Sequence, residues 1–386
     1  MKKEIPQNPD VIGAGGVFNY ALIKTLAKNN SDLMHLLILN HPEEVAEARK
    51  DRVVERFFGE KISKTKNPEA TRGQIKLPEN VEIFSFAEFL ENFRGKIQKL
   101  FLPVYPSYAL REYLKKIAAA VPPKAFKDCE IISASKGMEA KNFQMGHEII
   151  EEVLIIRRKV LVMLGGNLAF DLACGMPMIT EMAGKRKRVL HAAALFKNSP
   201  LRVYPSFERR ILDIAGPIKN THSLAAGIAS ASCENPESTI AAIIARGLAE
   251  YERIAFVAQH SDSKRQQKAS AKAKKLYEQG KDFRVAPIGK GVTSDYSLFR
   301  ATRNFSAGVK LAELLNAGLS AKKASEQILA KKTVESLFST IPLRNYTKQL
   351  GVEAPFIEIT AAILEGKINL QQAAAMLKSR KTRNGN

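Results

Sequence analysis

The sequence lacks the marks of several protein classes. No apolar run among its 386 residues approaches the length of a membrane span. Its start, MKKEIPQNPD, is charged but has no apolar segment behind it, so no secretory leader is expected. Cysteine is scarce: Cys129, Cys174 and Cys233 are scattered without ligand-like spacing. That usage fits a reducing cytoplasm, where free thiols are small buried hydrophobes. The six histidines form no HExxH-type pair, so no metal site is expected. There is no CxxC finger, no aromatic RNA-binding signature and no internal repeat. Acidic residues are in deficit, 39 against 60 Lys and Arg, which leaves a net charge of +21. Such a chain draws anions: phosphorylated metabolites, dinucleotides, nucleic acid or acidic membrane surfaces. The cations are spread along the chain, so a nucleic-acid role rests on charge alone. A solvated basic surface is the plain reading.

What remains is an ordinary globular composition, 45% hydrophobic and 26% charged, in a chain long enough for two domains. The chain is organised around Ile211 to Ala231, ILDIAGPIKNTHSLAAGIASA, whose small residues suit a helix packed on all sides. Pro217 is expected to begin that helix. Lys219 is its one lysine or arginine, followed by Asn220. Either the ammonium is buried because something uses it, or it reaches solvent at the helix end.

Val11 to Gly15, VIGAG, opens a glycine-rich strand-to-helix turn. Gly13 permits the turn, and Gly15 lets backbone approach a pyrophosphate at the helix N-terminus. Phe18 stands where the third glycine of GxGxxG would fall, and Ile5 to Pro9 is expected to interrupt the upstream strand. A second strand, Leu36 to Leu39, ends in Asn40 and His41 instead of the usual ribose-binding acid. Arg49, Lys50 and Arg52 either serve a 2′-phosphate or form a solvated helix face, so NAD and NADP both stay open. Further strands are expected at Glu82–Phe86, Lys99–Tyr105, Glu130–Ser135, Val160–Leu164, Met178–Glu181 and Leu201–Tyr204. They alternate with helices such as Tyr108–Ile117, which predicts an α/β Rossmann-like domain with a mainly parallel sheet over residues 1–205. Its ligands belong beyond the carboxyl ends of the strands. Residues 206–386 read as an all-α domain, with helices over Thr239–Arg253 and Phe305–Leu315. His260 to Arg284 reads as a surface helix or loop, and Lys378 to Asn386 as a basic tail.

An ordered series of motifs then resembles the soluble, bacterial-type NAD(P)-dependent glycerol-3-phosphate dehydrogenases. It runs through GAG (Gly13–Gly15), LPENV (Leu77–Val81), VYPSYALREYL (Val104–Leu114), SASKGME (Ser133–Glu139) and GNLAFDLACGMP (Gly166–Pro177). It continues with GPIKNTHSLAAGI (Gly216–Ile228), RGLAE (Arg246–Glu250), TRN (Thr302–Asn304), LGVEAP (Leu350–Pro355) and ILEGK (Ile363–Lys367). The resemblance implies interconversion of dihydroxyacetone phosphate and sn-glycerol 3-phosphate by hydride transfer. It makes Lys219 the general acid/base and Lys136 a second active-site lysine. It makes Asn220 a substrate hydrogen-bonder and Arg303 with Asn304 the phosphate holders. The dinucleotide is expected at Gly13, Gly15, Gly16, Val17, Phe18, Asn40, Pro106 and Ala169, with Arg303 and Glu335 beside it. Localisation is expected to be cytoplasmic, and a homodimer is allowed. The chain departs from the family where a GLGD motif becomes Gly289-Lys290-Gly291-Val292, which replaces the acid beside the catalytic lysine. Asp295 is the candidate substitute if the loop shifts, and Tyr296 falls at a family threonine. These departures keep two alternatives open: another phosphorylated ketone or aldehyde as substrate, or a binding or regulatory protein on the same scaffold.

Overall fold

The computed structural model describes residues 4–232, 234–260, 263–279 and 289–378. Cys233, Pro287, Ile288 and the basic tail beyond residue 378 lie outside the described residues. The chain divides into two compact units, Met1–Ser135 with Gly146–Arg209, and Lys136–Met145 with Arg210–Asn386. The division therefore falls at Arg209 instead of residue 205, and it assigns residues 136–145 to the second unit.

The first unit alternates strands and helices: β1 (Val11–Gly15), α1 (Val17–Asn29), β2 (His35–Leu39), α2 (Pro42–Asp51), α3 (Glu55–Ile62), α4 (Pro68–Ile75), β3 (Val81–Ser85), α5 (Phe86–Asn92), β4 (Leu100–Val104), α6 (Ser107–Ala120), β5 (Glu130–Ser133), α7 (Gly146–Val153), β6 (Val160–Gly165), α8 (Ala169–Ala173), β7 (Met178–Ala183), α9 (Arg186–Ala194) and β8 (Leu201–Ser206). The strands form one eight-stranded sheet in the order β3-β2-β1-β4-β5-β6-β7-β8. Every pairing is parallel except β6 with β7. Apolar clusters cover both sheet faces, as the unbroken burial of β1, β2 and β6 requires.

The prolines ahead of β1 do not interrupt it. The ladder begins at Val11, past Pro9, and pairs all of β1 with β4. The proline segment serves as an acceptor: Gln98 N–H donates to the Pro9 carbonyl, a role that needs no N–H on the proline. Of the helices of residues 42–75, α2 was expected only through the helix-face reading of Arg49, Lys50 and Arg52, and α3 and α4 were not expected.

From Arg210 on, the regular elements of the second unit are all helices among the described residues: α10 (Arg209–Ser230), α11 (Glu237–Ala258), α12 (Ser263–Glu278), α13 (Lys290–Ser297), α14 (Arg303–Asn316), α15 (Ala321–Leu329), α16 (Glu335–Gln349), α17 (Pro355–Leu364) and α18 (Leu370–Lys378). Pro217 does not begin α10 but lies two turns inside it. A proline there forgoes one helical hydrogen bond and costs about 3 kcal/mol in an isolated helix. Burial of every residue from Leu212 to Leu224 outweighs that cost. The small residues of α10 meet those of α14 backbone to backbone. A Cβ on Gly227 would lie 2.1 Å from the Phe305 carbonyl oxygen, and one on Gly308 would lie 2.2 Å from that of Leu224. The lysine-rich stretch forms α12, whose Ala269, Ala273 and Tyr277 recur every fourth residue and are buried.

Candidate active site

The second unit holds a buried lysine–carboxylate centre. Lys219, on α10, is only 2% exposed, so its ammonium does not reach solvent at a helix end. The Asp295 carboxylate, on α13, lies 3.3 Å from Lys219 Nζ through Oδ1 and 2.9 Å from Lys136 Nζ through the same oxygen. Its other oxygen, Oδ2, is buried without a hydrogen-bond partner. Burial pushes the Lys219 ammonium towards its neutral form; Asp295 opposes this and Lys136 adds to it, and the lysine rests below its ordinary range. Burial pushes the Asp295 carboxyl up, but the two ammoniums outweigh it and hold it below the usual carboxylate range. Two lysines thus share one carboxylate oxygen. The Phe299 ring lies 6.0 Å from Lys219 Nζ and walls one side.

Asp295 reaches this position from a helix, with no loop shift. Val292 and Asp295 are one turn apart on α13, so both face inward, and Val292 is packed in the core. The acid missing at Val292 is present one turn later.

A hydrogen-bonded relay joins the remaining polar residues. Ser336 N–H donates to Asn304 Oδ1 at 3.1 Å, Asn304 Nδ2 to Asn220 Oδ1 at 3.0 Å, and Asn220 Nδ2 to the Lys136 carbonyl at 3.3 Å. Each amide nitrogen has a second hydrogen beyond those bonds. The Gly227–Gly308 crossing sets α14 against α10 closely enough for Asn304 to reach Asn220. Arg303 stands exposed at the first position of α14, whose N-terminus is capped by the Thr302 hydroxyl. Glu335 opens α16, next to Ser336. Ser336, whose buried hydroxyl has no hydrogen-bond partner, was not expected from the sequence and carries no motif that would reveal it.

The first unit carries the other expected residues. Gly13 lies mid-strand in β1, paired to Leu37 and Leu102 and not in the turn; Gly15 ends β1, and Gly16 is the N-cap of α1. No side chain caps α1 there, and its first turn holds no acid, which suits a phosphate. A Cβ on Gly15 (φ +143°) would lie 2.1 Å from the Val104 carbonyl oxygen, so β1 and β4 touch where the strand order reverses. Gly16 faces open space. Val17 and Phe18 occupy the first turn of α1 and pack on the apolar cluster, so position 18 does not need glycine. The close helix-to-sheet contact is made instead by Gly13 and Asn19. A Cβ on Gly13 would lie 2.7 Å from Asn19 Oδ1, and Asn19 Nδ2 donates to the Leu102 carbonyl at 3.2 Å. Asn40 follows β2, Pro106 precedes α6 and Ala169 opens α8, all beyond carboxyl ends of strands. The Asn40 side-chain oxygen is buried without a partner, a polar atom left for a ligand. Arg49 and Lys50 are exposed on α2, as the solvated-face reading has it, and Arg52 is half-buried at its C-terminal end. Arg49 donates to the Ile83 carbonyl and to both Glu88 oxygens, and Arg52 to the carbonyls of Leu77, Pro78 and Val81. Both fasten α2 to the region of β3.

Among the described residues, no group of three or more His, Cys, Asp or Glu could hold a metal ion, and no helix is long and apolar enough to cross a membrane.

A doubly wound sheet with an open glycine turn, followed in the chain by helices around a buried lysine–aspartate centre, defines a dinucleotide-binding class of fold. Two family models match the chain: NAD-dependent glycerol-3-phosphate dehydrogenase N-terminus over residues 10–190, and the C-terminus of the same family over residues 211–375. The chain belongs to the NAD-dependent glycerol-3-phosphate dehydrogenase family. It is 29% identical over 252 residues to the glycerol-3-phosphate dehydrogenase [NAD(P)+] of Azotobacter vinelandii, covering 65% of this chain and 66% of that protein. It is 26% identical to that of Acinetobacter baumannii, over 95% of this chain and 88% of that protein. The chain spans just under two thirds of the A. vinelandii relative and 53% of that from Psychrobacter cryohalolentis. The fold matches a crystal structure of glycerol-3-phosphate dehydrogenase from Coxiella burnetii with a TM-score of 0.70 and 21% identity, covering 97% of this chain and 100% of that chain.

Proposed function

We propose that the protein interconverts dihydroxyacetone phosphate and sn-glycerol 3-phosphate with NAD or NADP. One observation carries this reading: the buried Lys219 ammonium, held by a carboxylate that also holds Lys136 and keeps one oxygen unpartnered. The dinucleotide fits the first unit by its open, uncapped α1 N-terminus and the partnerless Asn40 oxygen. Gly13, Gly15, Gly16, Val17 and Phe18 would hold its phosphates, and Asn40, Pro106 and Ala169 would line its length. Arg303 and Glu335 are proposed beside it. When bound, the nicotinamide supplies or takes the hydride at the substrate's C2.

Lys219 does the proton work. In the reducing direction an Nζ–H bond breaks and an O–H bond forms on the substrate oxygen, so the ammonium both stabilises developing negative charge and quenches it. In the oxidising direction the neutral amine takes that proton back. Asp295 keeps the ammonium populated despite burial, and Lys136 shares its carboxylate and draws the anionic substrate. The second hydrogens of Asn220 and Asn304 are free to donate to substrate oxygens. Arg303 offers a planar fork to the phosphate, and anchoring that tail aligns the carbonyl for reaction. Val292 and Tyr296 motivated the other substrate readings, and both are packed in the core. The basic surface and sparse cysteine are consistent with a cytoplasmic enzyme of an anionic metabolite.

Purified protein mixed with dihydroxyacetone phosphate and NADH or NADPH should lose absorbance at 340 nm. No loss with either cofactor overturns the reading. Arg303→Ala should raise KM for the phosphorylated substrate by about 10- to 100-fold.

A further inference from the structure

The proposed reaction does not use three buried residues next to the lysine centre. Glu250 (α11), His222 (α10) and Tyr296 (α13) are each at most 1% exposed. Glu250 is fixed first: its Oε2 accepts Phe356 N–H at 3.0 Å and its Oε1 accepts Ile357 N–H at 3.2 Å, both from the first turn of α17. His222 Nε2 lies 3.1 Å from Glu250 Oε1, so Nε2 carries the hydrogen that this carboxylate accepts. In the neutral imidazole Nδ1 is then the acceptor, and Tyr296 Oη, 3.0 Å away, donates to it. The bonds run one way, from tyrosine through histidine to glutamate, and each neighbour enforces the same tautomer. Space for the imidazole comes from Gly247, where a Cβ would lie 2.7 Å from His222 Nδ1. The Phe356 and Phe299 rings pack against His222 and Tyr296 at 5.9 and 5.1 Å. Arg253 lies 4.0 Å from Glu250.

The placement of this chain points to its use. Tyr296 is the residue after Asp295, and His222 is one helical turn after Lys219. Helices α10 and α13 are therefore joined at two points, Asp295 to Lys219 and Tyr296 to His222. Val292 packs the same helix into the core, and the Tyr296–His222 bond adds a second polar attachment to those of Asp295. Together they restrict the rotation of α13, and with it the direction of the Asp295 carboxylate. We propose that Tyr296, His222 and Glu250 are positioning residues that hold the Asp295 carboxylate between Lys136 and Lys219. This deepens the reading above and rests on it. The charged groups facing the centre are Lys136, Lys219 and Asp295, with Glu250 and Arg253 behind the histidine.

The decisive variant is Tyr296→Phe, which keeps the ring and removes only the donor. Reduction of dihydroxyacetone phosphate should lose about 10- to 30-fold in kcat with KM changed less than threefold, and the basic limb of the pH profile should move to lower pH. In an Asp295→Asn background the same change should cost less than threefold, because the carboxylate it positions is gone. His222→Leu should match Tyr296→Phe, whereas His222→Asn, which keeps an acceptor for the tyrosine, should recover most of the activity. Ionisation of Lys219 is also read by NMR of isotope-labelled lysine, which needs no turnover. Tyr296→Phe should lower its midpoint, and should not do so in the Asp295→Asn background. A Tyr296→Phe enzyme that keeps its kcat, its pH profile and its Lys219 midpoint overturns the proposal, as does an equal loss with and without Asp295. If the wild-type protein turns over no substrate, the assigned reaction fails, and the NMR titration still decides the positioning.

Discussion

Among the described residues two lysines are buried on helices, and they are buried differently. Lys24 lies on α1 and is 4% exposed, close to the 2% of Lys219 on α10. Burial pulls the Lys24 amine down to about 8, with Lys28 adding to the effect and Cys174 opposing it. Lys219 is also pulled down by burial, but a carboxylate stands 3.3 Å away and pushes back. Burial alone makes a lysine costly to the fold. Burial with a shared carboxylate holds the proton in place, which is what the proposed reaction asks of Lys219. A perturbed ionisation therefore does not mark a site by itself; the partner marks it.

The largest effect expected from breaking this contrast is at Lys219. Lys219→Met should reduce turnover by about 1,000-fold or more while the protein stays folded. Lys24→Met should leave kcat and KM within twofold, and steady-state kinetics of the two proteins side by side is the check. Asp295→Asn comes next, at about 100-fold in kcat. Without the carboxylate the ammonium is less favoured, so the pH above which ketone reduction fails should drop further. In the parent that limb is itself expected below the ordinary lysine value, because burial holds Lys219 down. A limb that stays in place when Asp295 is neutral would dissolve the distinction between the two lysines. Gly227→Ala should destabilise the protein by about 1–3 kcal/mol in denaturant titration, since its Cβ has no room at the α10–α14 crossing.

The smallest effect belongs to Lys24. Its amine is held below the unfolded value, so charging it opposes folding at every pH under about 8. That penalty fades as pH rises from about 8 through the unfolded value of 10.5. Lys24→Met should thus be more stable than the parent at neutral pH by about 1–2 kcal/mol, allowing for solvent that reaches the amine, with the gain vanishing above pH 10.5. Melting curves at neutral and high pH test this.

Most of the sheet was legible because its signals are local. Leu36–Leu39 and Val160–Leu164 are unbroken apolar runs that only a strand buried on both faces requires. Lys219 and Asn220 were legible because a charge-poor, small-residue helix carries them. Asp295 was half-legible. It was named as a candidate acid, but its route to the lysine was misjudged, because a residue three positions from Val292 is distant in a loop and adjacent on a helix. Pro217 misled for the related reason that tertiary burial overrides a local helix signal. Ser336, Glu250 and His222 left no trace in spacing. Ser336 meets Asn304 only once α14 and α16 are packed, and His222 meets Glu250 only once α10 and α11 are, and no window along the chain contains either meeting.

The Gly227–Gly308 contact limits how this protein can change. With main chain resting on main chain, there is no side chain at the crossing to trim, so the two helices cannot be drawn together or eased apart by small steps. On the proposed function, room for a bulkier phosphate ester has to come from trimming side chains beside Lys219, such as Phe299. Redesign by sliding the scaffold would dislodge Asn304 from Asn220 before it admitted any new substrate.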